Sequence, residues 1–428
     1  MDIGTWFKKR SPGFIFQRGR SLIDNYGINP KRAIQRIDSL MNHFAEFDCL
    51  PTFPVPGRVI EQHPGYIRSL QDRGAEIAVH GYNHVDLKVC NPQDAVSQLI
   101  RAVEVFNQTG LSVHGFRCPY LSCSDALLQA IPRDIFNYSS NRAIRWNLSR
   151  YKNNTIDMTV YETISRFYEA IDIRSHCSLP WVVNGMVEIP VSVPDDLQLK
   201  DGLGYDQKGL ADTWISLLMR THEHGEIFNL MFHPELASFC QTPFTSLLKT
   251  ARALHPGVWI ARLCDIADWW REKALLIPKL EDQTDGSISI KFPISTRARW
   301  ITKGIDLPGF SPMDEMSNNL SGSTITFPHG LRPFVGIDVL AAKNLAEPIA
   351  NLGFIVDQSH KARECSIYLD SAIMQKRPSE SNLLSLLEKT GKPLLRLWPW
   401  PDGYRSALSI TGDLDALSLM DYVNRLRV

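Results

Sequence analysis

His80 and His84 stand at i and i+4 in "VHGYNH", directly after the apolar run "EIAV". On a helical turn that spacing aims both imidazoles at one point, which suits a divalent transition metal. With 12 His in 428 residues, about 0.3 such pairs arise by chance. The spacing alone therefore does not separate a metal site from two surface histidines. Its place after a strand, where α/β proteins carry their sites, favours the metal.

Four further stretches have the same position. In "GFRCPY", Arg117 supplies a fixed cation and Pro119 a rigid bend; an ordinary strand-end salt bridge fits equally well in isolation. In "NLMFHPE", His233 follows an apolar strand, where a lone His is more often structural than catalytic. In "EIPVSVPDD", Asp195 and Asp196 follow another strand, and adjacent carboxylates are usually a solvated loop. In "SALSITGDLDA", Asp413 and Asp415 at i,i+2 face one side of an extended chain, and Gly412 lets the backbone turn. One carboxylate could bind a metal while the other accepts a proton. The competing reading makes Asp415 the N-cap of a helix over "ALSLMDYVNRL". Taken together, His, Asp and Arg at several strand ends point to a metal-dependent hydrolase on an α/β barrel. No G-x-S-x-G elbow is present, and neither a Walker A sequence nor a G-x-G-x-x-G turn.

The elements that must hold these residues alternate between strand and helix from about residue 29 to 275. "NPKRAIQRIDSLMNHFAEF" predicts a helix capped by Asn29 with Pro30 at its first position, and Ile34, Ile37, Met41 and Phe44 on one face. "DAVSQLIRAVEVFNQTG" predicts a helix burying Val96, Leu99, Ile100, Val103 and Phe106, ended by Gly110. "LPTFPV", "EIAVHG", "VHGFRCPY", "GMVEIPVSV", "IFNLMFHPE" and "GVWIARL" read as strands. Such alternation argues for a parallel sheet, open or closed into a barrel. After about residue 277 short, turn-separated strands replace this pattern, and a second β-rich module with some α/β character is expected over 277–395.

Composition narrows the classes. Apolar residues are 44% and charged residues 21%, as in an ordinary soluble globular protein. Lys+Arg and Asp+Glu are both 46, so no global field favours nucleic acid or membrane. The first 20 residues are locally basic, read as a solvated tail. No apolar run approaches the roughly 18 residues of a membrane span. No signal peptide is visible, so a cytoplasmic location is expected. The eight Cys show no C-x-x-C pair and read as reduced thiols.

These motifs resemble the polysaccharide deacetylases of the NodB-homology type, carbohydrate esterase family 4. "HGYNH" is similar to the family's His-x-x-x-His metal motif, with Gly81 where Ser is common. "RCPY" is similar to its Arg-x-Pro-Tyr motif, with Cys118 at the variable position. "EIPVSVPDD" falls where its fourth motif belongs, and "LMFHP" resembles the fifth. The family's first motif, an Asp pair on the first barrel strand, is missing from residues 1–50; "SITGDLDA" is similar to it but stands near the C-terminus. The resemblance therefore implies a distorted (β/α) barrel that is circularly permuted. Its main part would be 1–276, with an inserted module at 277–395, and 396–428 would carry the relocated first strand.

By the same resemblance Asp415, His80 and His84 would ligate a divalent metal, zinc being the expected ion. Asp413 would be the base that deprotonates water, and His233 the acid that protonates the leaving amine. Arg117 would hold Asp413, itself tethered by Asp195 or Asp196. The backbone N–H of Tyr120 would help hold the oxyanion. The implied reaction removes N-acetyl groups from an amino sugar of a polysaccharide or glycan precursor, with carbohydrate as the partner. Two alternatives stay open: amide hydrolysis of a non-glycan substrate on the same barrel, and a barrel that binds carbohydrate without turnover. A truncated second domain beginning at residue 396 would also account for the displaced Asp pair.

Overall fold

The protein is seen in a computed structural model that describes residues 29–132, 134–148, 168–183, 185–305, 322–370 and 379–425. The basic first 20 residues lie outside these. The fold is mixed α/β with one curled, mainly parallel sheet. The strands that build the site are β1 (Thr52–Val55), β2 (Glu76–Val79), β3 (Gly115–Phe116), β4 (Tyr138–Ser139) and β5 (Ala143–Arg145), followed by β6 (Met186–Glu188), β7 (Val191–Val193), β8 (Ile227–Phe232), β9 (Val258–Ile260) and β10 (Ser406–Gly412); Ile171–Asp172 and Trp181–Val183 extend the same sheet at its ends. Helices Lys31–Ala45 (α1), Pro92–Thr109 (α2), Gln207–His224 (α3), Ala237–Ala253 (α4) and Leu263–Ala274 (α5) alternate with them. Strands buried along their whole length, such as β2 and β8, read as largely apolar runs because helices cover a parallel sheet.

The curl arises where two strands change partners. β4 pairs with β6, Tyr138 opposite Val187 and Ser139 opposite Glu188. β5 pairs with β7, Ala143 opposite Val191. Ser139 to Ala143 is four steps while Glu188 to Val191 is three, so one extra residue bulges and bends the pair. The bulge frees two backbone N–H groups, and buried donors need partners. Glu188 supplies them: its carboxylate accepts from Asn141 N (2.8 Å) and Arg142 N (2.7 Å), and from Ser139 Oγ.

β10, near the end of the chain, lies between β8 and β1. It pairs with β8 from Ala407 to Gly412, with β1 at Thr411 opposite Thr52, and with β9 lower down. All seven of its residues are buried. Its last residue must be small: a Cβ on Gly412 would stand 2.7 Å from the Phe232 ring and 3.1 Å from that of Phe53.

Local expectations shift in three places. α1 starts at Lys31 with Pro30 outside it, although the Asn29 carboxamide does accept from Lys31 N (3.2 Å); Ile34 is only half-buried while Ala33 and Leu40 are buried. α2 buries Ala95, Leu99, Ala102, Val105 and Phe106, so Val96, Ile100 and Val103 are only half-buried. The rotation follows from a close crossing, since a Cβ on Gly57 would lie 3.1 Å from Ala102 Cα. Small residues win that face because the neighbouring backbone leaves no room for Val. Third, the helix after Asp415 begins only at Leu419 (Leu419–Arg425). Its box is made by Ser418 and Asp421: Asp421 Oδ2 accepts from Leu417 N and Ser418 N, and Ser418 Oγ accepts from Asp421 N. Asp415 is not the cap.

Residues 277–395 contain an antiparallel sheet of Lys279–Asp282, Ile288–Lys291 and Thr324–Phe327. They also contain a parallel sheet of Val335–Ile337, Val356–Asp357 and Ile367–Leu369. Trp300–Lys303 pairs with Leu394–Leu397. The buried cluster of this region also takes in Leu263, Trp269 and Trp270 of α5. Trp269 Nε1 donates to Pro399 O and Trp400 Nε1 to Gly225 O, both at 2.7 Å. The segment leading into β10 is thus pinned at both indoles before the strand begins.

Candidate active site

The candidate residues stand at the carboxyl ends of adjacent parallel strands. His80 follows β2 and is fully buried. Its Nδ1 lies 2.8 Å from the Arg117 carbonyl. A carbonyl only accepts, so Nδ1 carries the hydrogen and Nε2 presents its lone pair. That Nε2 is buried with no hydrogen-bond partner. His84 comes from the same loop, its ring 5.1 Å from that of His80. The two do not sit on a helical turn as their spacing suggested: Gly81 adopts φ +71°, and the irregular loop it starts brings them together.

Asp415 enters from beyond β10. Its Oδ1 lies 3.4 Å from His80 Nε2 and its Oδ2 3.2 Å from His84 Nε2. One donor atom from each of the three falls within 4.8 Å of the others. Two imidazoles and a carboxylate, all buried, form a donor set that fits a borderline divalent ion such as zinc. The His80–carbonyl hydrogen bond is the kind of outer support that fixes a ligand ring.

Asp413 stands beside this trio, with Oδ2 3.9 Å from His80 Nε2. Its Oδ1 accepts from Arg117 Nη1 at 2.7 Å. Arg117 is fully buried and also donates to Thr411 Oγ1, Ser140 O and Ser140 Oγ. The expected tether of Arg117 by Asp195 or Asp196 is therefore replaced by Ser140 and Thr411. Those aspartates are committed elsewhere. Asp413 N also bonds Phe232 O (3.1 Å), which puts the residue next to the end of β8 and hence to His233.

Asp196 grips His233 twice, accepting from its Nδ1 (2.7 Å) and its backbone N (2.9 Å). Burial works against a charged His233 ring, but the Asp196 carboxylate, with Asp195 and Glu235 behind it, outweighs burial and holds the imidazole well above its usual pKa. Asp195 accepts from Gln198 N (2.7 Å) and from Tyr168 OH (2.5 Å). Burial pushes its own pKa up to about 6, against the pull of His233. His233, Asp195 and Asp196 also cluster closely enough for a cation. All four of their carboxylate oxygens already accept protein N–H or O–H donors, so this cluster is an acid–base network.

Tyr120 lies in the tight turn Pro119–Leu121 with φ +60°, and Leu121 follows at +55°. Non-glycine residues hold such angles at a cost and mostly at functional turns. The Tyr120 ring packs edge-on to His84 at 4.7 Å, and the turn is anchored by Cys118 N donating to Asn141 Oδ1 (2.6 Å).

Replacing Asp196 with Asn tests the network directly. His233 has a folded pKa above its unfolded value of about 6.5. Its contribution to stability is fully present below about pH 6.5 and is lost as pH rises through the raised folded pKa. Denaturant midpoints of wild type and Asp196→Asn should therefore differ most near pH 6 and converge towards alkaline pH. A gap that does not change with pH would remove the His233–Asp196 pair from this role.

Comparison with known proteins agrees with the motif pattern. Residues 33–135, which include His80, His84, Arg117 and Tyr120, match the polysaccharide deacetylase family model. Over that segment the chain is similar to the polysaccharide deacetylases. A peptidoglycan deacetylase-like protein of Gibberella zeae is 31% identical over 91 residues, 21% of this chain and 27% of that protein. The match thus spans about a quarter of the length of that curated relative. A provisionally described polysaccharide deacetylase from Mycobacterium smegmatis aligns over 62% of this chain and 85% of its own, at 22% identity and a TM-score of 0.44. A carbohydrate esterase family 4 pseudoenzyme from Bacillus anthracis aligns over 51% and 56%, at 15% identity and a TM-score of 0.31. Similarities at that level carry no argument about turnover in this protein. The family segment ends before Asp195, Asp196, His233, Asp413 and Asp415, so those five rest on geometry.

Proposed function

We propose that the protein is a metal-dependent hydrolase that removes N-acetyl groups from an amino sugar of a polysaccharide or glycan precursor. The observation that carries the reading is the meeting of Asp415 with both His80 and His84 at 3.4 and 3.2 Å. A bound divalent ion, zinc in the first place, would polarise the acetamide carbonyl and lower the pKa of a water to about 7. Asp413 takes the proton of the attacking water, its Oδ1 fixed by Arg117 and its Oδ2 turned towards His80. The backbone N–H of Tyr120 supports the developing oxyanion. His233, charged through Asp196, gives its Nε2 proton to the departing nitrogen. Products are acetate and a free amine. Asp195, which accepts from Tyr168 OH, adds its charge behind the His233–Asp196 pair.

In the same reading the sheet is a distorted barrel, and β10 is its first strand carried late in the chain by circular permutation. Support comes from its slot between β8 and β1 and from the Asp-x-Asp that follows it. Residues 277–395 would then be an insertion joined to α5.

The test is acetate release from N-acetylated oligosaccharides by the full chain. We expect release with added zinc, its loss in chelator, and recovery on zinc addition. Stoichiometric metal binding with no acetate from any glycan would move the protein to a non-catalytic carbohydrate-binding role. Release from small non-sugar amides alone would keep the hydrolase and discard the glycan.

A further inference from the structure

One cation beside the site is used by nothing described so far. Arg58 lies in the short helix Gly57–Gln62 and lines a cleft with Gln62, Asn83, His84, Asp415 and Asp421. Its backbone is fixed: Arg58 N donates to Tyr82 O (3.0 Å) and Gly57 N to Gly81 O (2.9 Å), clamping the helix to the loop that carries His80 and His84. Among the described residues its guanidinium makes no hydrogen bond and no ion pair. The acids within reach are engaged. Glu61, three residues on, accepts from Tyr82 OH (2.7 Å). Asp421 Oδ2 accepts from Leu417 N and Ser418 N and pairs with His63 at 3.0 Å. Asp415 is turned to the two histidines.

The same cleft holds a second unused group. Asn83 Oδ1 is buried without a hydrogen-bond partner, while Asn83 N is taken by Gln98 Oε1 (2.9 Å). The buried Asn83 oxygen costs stability unless a donor completes it, and the half-buried guanidinium, held by no protein acid, can exchange its water for a ligand anion. A planar guanidinium selects carboxylate or phosphate, and the amide suits a hydroxyl.

We infer that Arg58 binds an anionic substituent, carboxylate or phosphate, on an acetamido sugar, with Asn83 taking a sugar hydroxyl beside it. This rests on the deacetylase reading for the sugar, and on Arg58 alone for the charge. The site would therefore prefer acidic over neutral acetylated sugars.

Calorimetric titration of the zinc-loaded full chain with N-acetylglucosamine, N-acetylglucosamine 6-phosphate and N-acetylmuramic acid tests it. Wild type should bind at least one acidic sugar about tenfold or more tightly than the neutral one. Arg58→Gln should erase that preference and change neutral binding by less than about twofold, and Arg58→Lys should keep part of it. The phosphate and carboxylate arms distinguish the two anions. No preference in the wild type, including no binding of any of the three, overturns the inference, as does an equal loss for acidic and neutral sugars in Arg58→Gln. Acetate release is followed alongside. An Arg58-dependent preference with no acetate from these sugars or from N-acetylated oligosaccharides would sink the deacetylase reading and leave the anion site standing. Acetate release without preference does the reverse.

Discussion

Asp415→Ala is expected to lower metal affinity by more than about 100-fold. Losing a supporting partner of a metal ligand already costs 10–100-fold, and Asp415 would be a ligand itself. It is the group that reaches both His80 and His84, so its removal leaves two nitrogens and, nearby, only the Asp413 carboxylate, which is already paired to Arg117. The readout need not be activity. A ligand that binds only the folded state stabilises it by about 2.7 kcal/mol at a hundredfold excess over Kd. Zinc should therefore raise the melting temperature of the wild type and leave Asp415→Ala nearly unmoved. The variant should otherwise fold, because the following helix is capped by Ser418 and Asp421 and not by Asp415. A zinc-dependent melting shift of wild-type size in Asp415→Ala would take Asp415 out of the metal site.

Why some of this was legible and some not is a matter of range. His80, His84, Arg117, His233, Asp413 and Asp415 each follow an apolar run, and strand ends are where α/β folds expose side chains for use. Pattern along the chain suffices to find them. Ser140, just past β4, and Thr411, inside β10, hold Arg117 but look like filler in the sequence; only the pairing of β10 with β8 and β1 brings Thr411 to the guanidinium. Glu188 reads as one polar residue in a strand until the register break between β4/β6 and β5/β7 calls for an acceptor there. Asp195 and Asp196 were legible as carboxylates at a strand end but not as partners of His233. That pairing depends on β7 and β8 lying side by side, in contact through Ser192 and Leu230. The rotated face of α2 has the same origin, since 3.6-residue periodicity marks apolar positions and not which of them meets a glycine. The helical reading of His80 and His84 failed on one residue, Gly81, whose positive φ turns the chain out of any helix.

Asp413→Asn should reduce turnover by about 10²–10⁴, the range for loss of a positioned general base, while leaving zinc affinity within a few-fold of wild type. The substitution keeps the shape and one acceptor oxygen for Arg117 but removes the charge. Arg117 has no exposure to water, and removing the charge of a buried partner costs up to about 3–5 kcal/mol. A loss of activity could therefore reflect unfolding instead of chemistry. Arg117→Gln separates the two. It breaks the same ion pair from the other side, with Thr411 and Ser140 still available to the shorter side chain, yet leaves a carboxylate at position 413. If Asp413 acts as base and Arg117 only positions it, both variants lose stability but Arg117→Gln keeps much more of kcat when each is assayed well below its melting temperature. Equal kcat losses in the two would mean that the ion pair matters as structure and the base lies elsewhere. Wild-type turnover in Asp413→Asn would exclude Asp413 outright. Because His80 Nε2 stands 3.4 Å from Asp415 and 3.9 Å from Asp413, zinc binding measured on the same samples assigns each carboxylate its part: Asp415 to holding the ion, Asp413 to moving the proton.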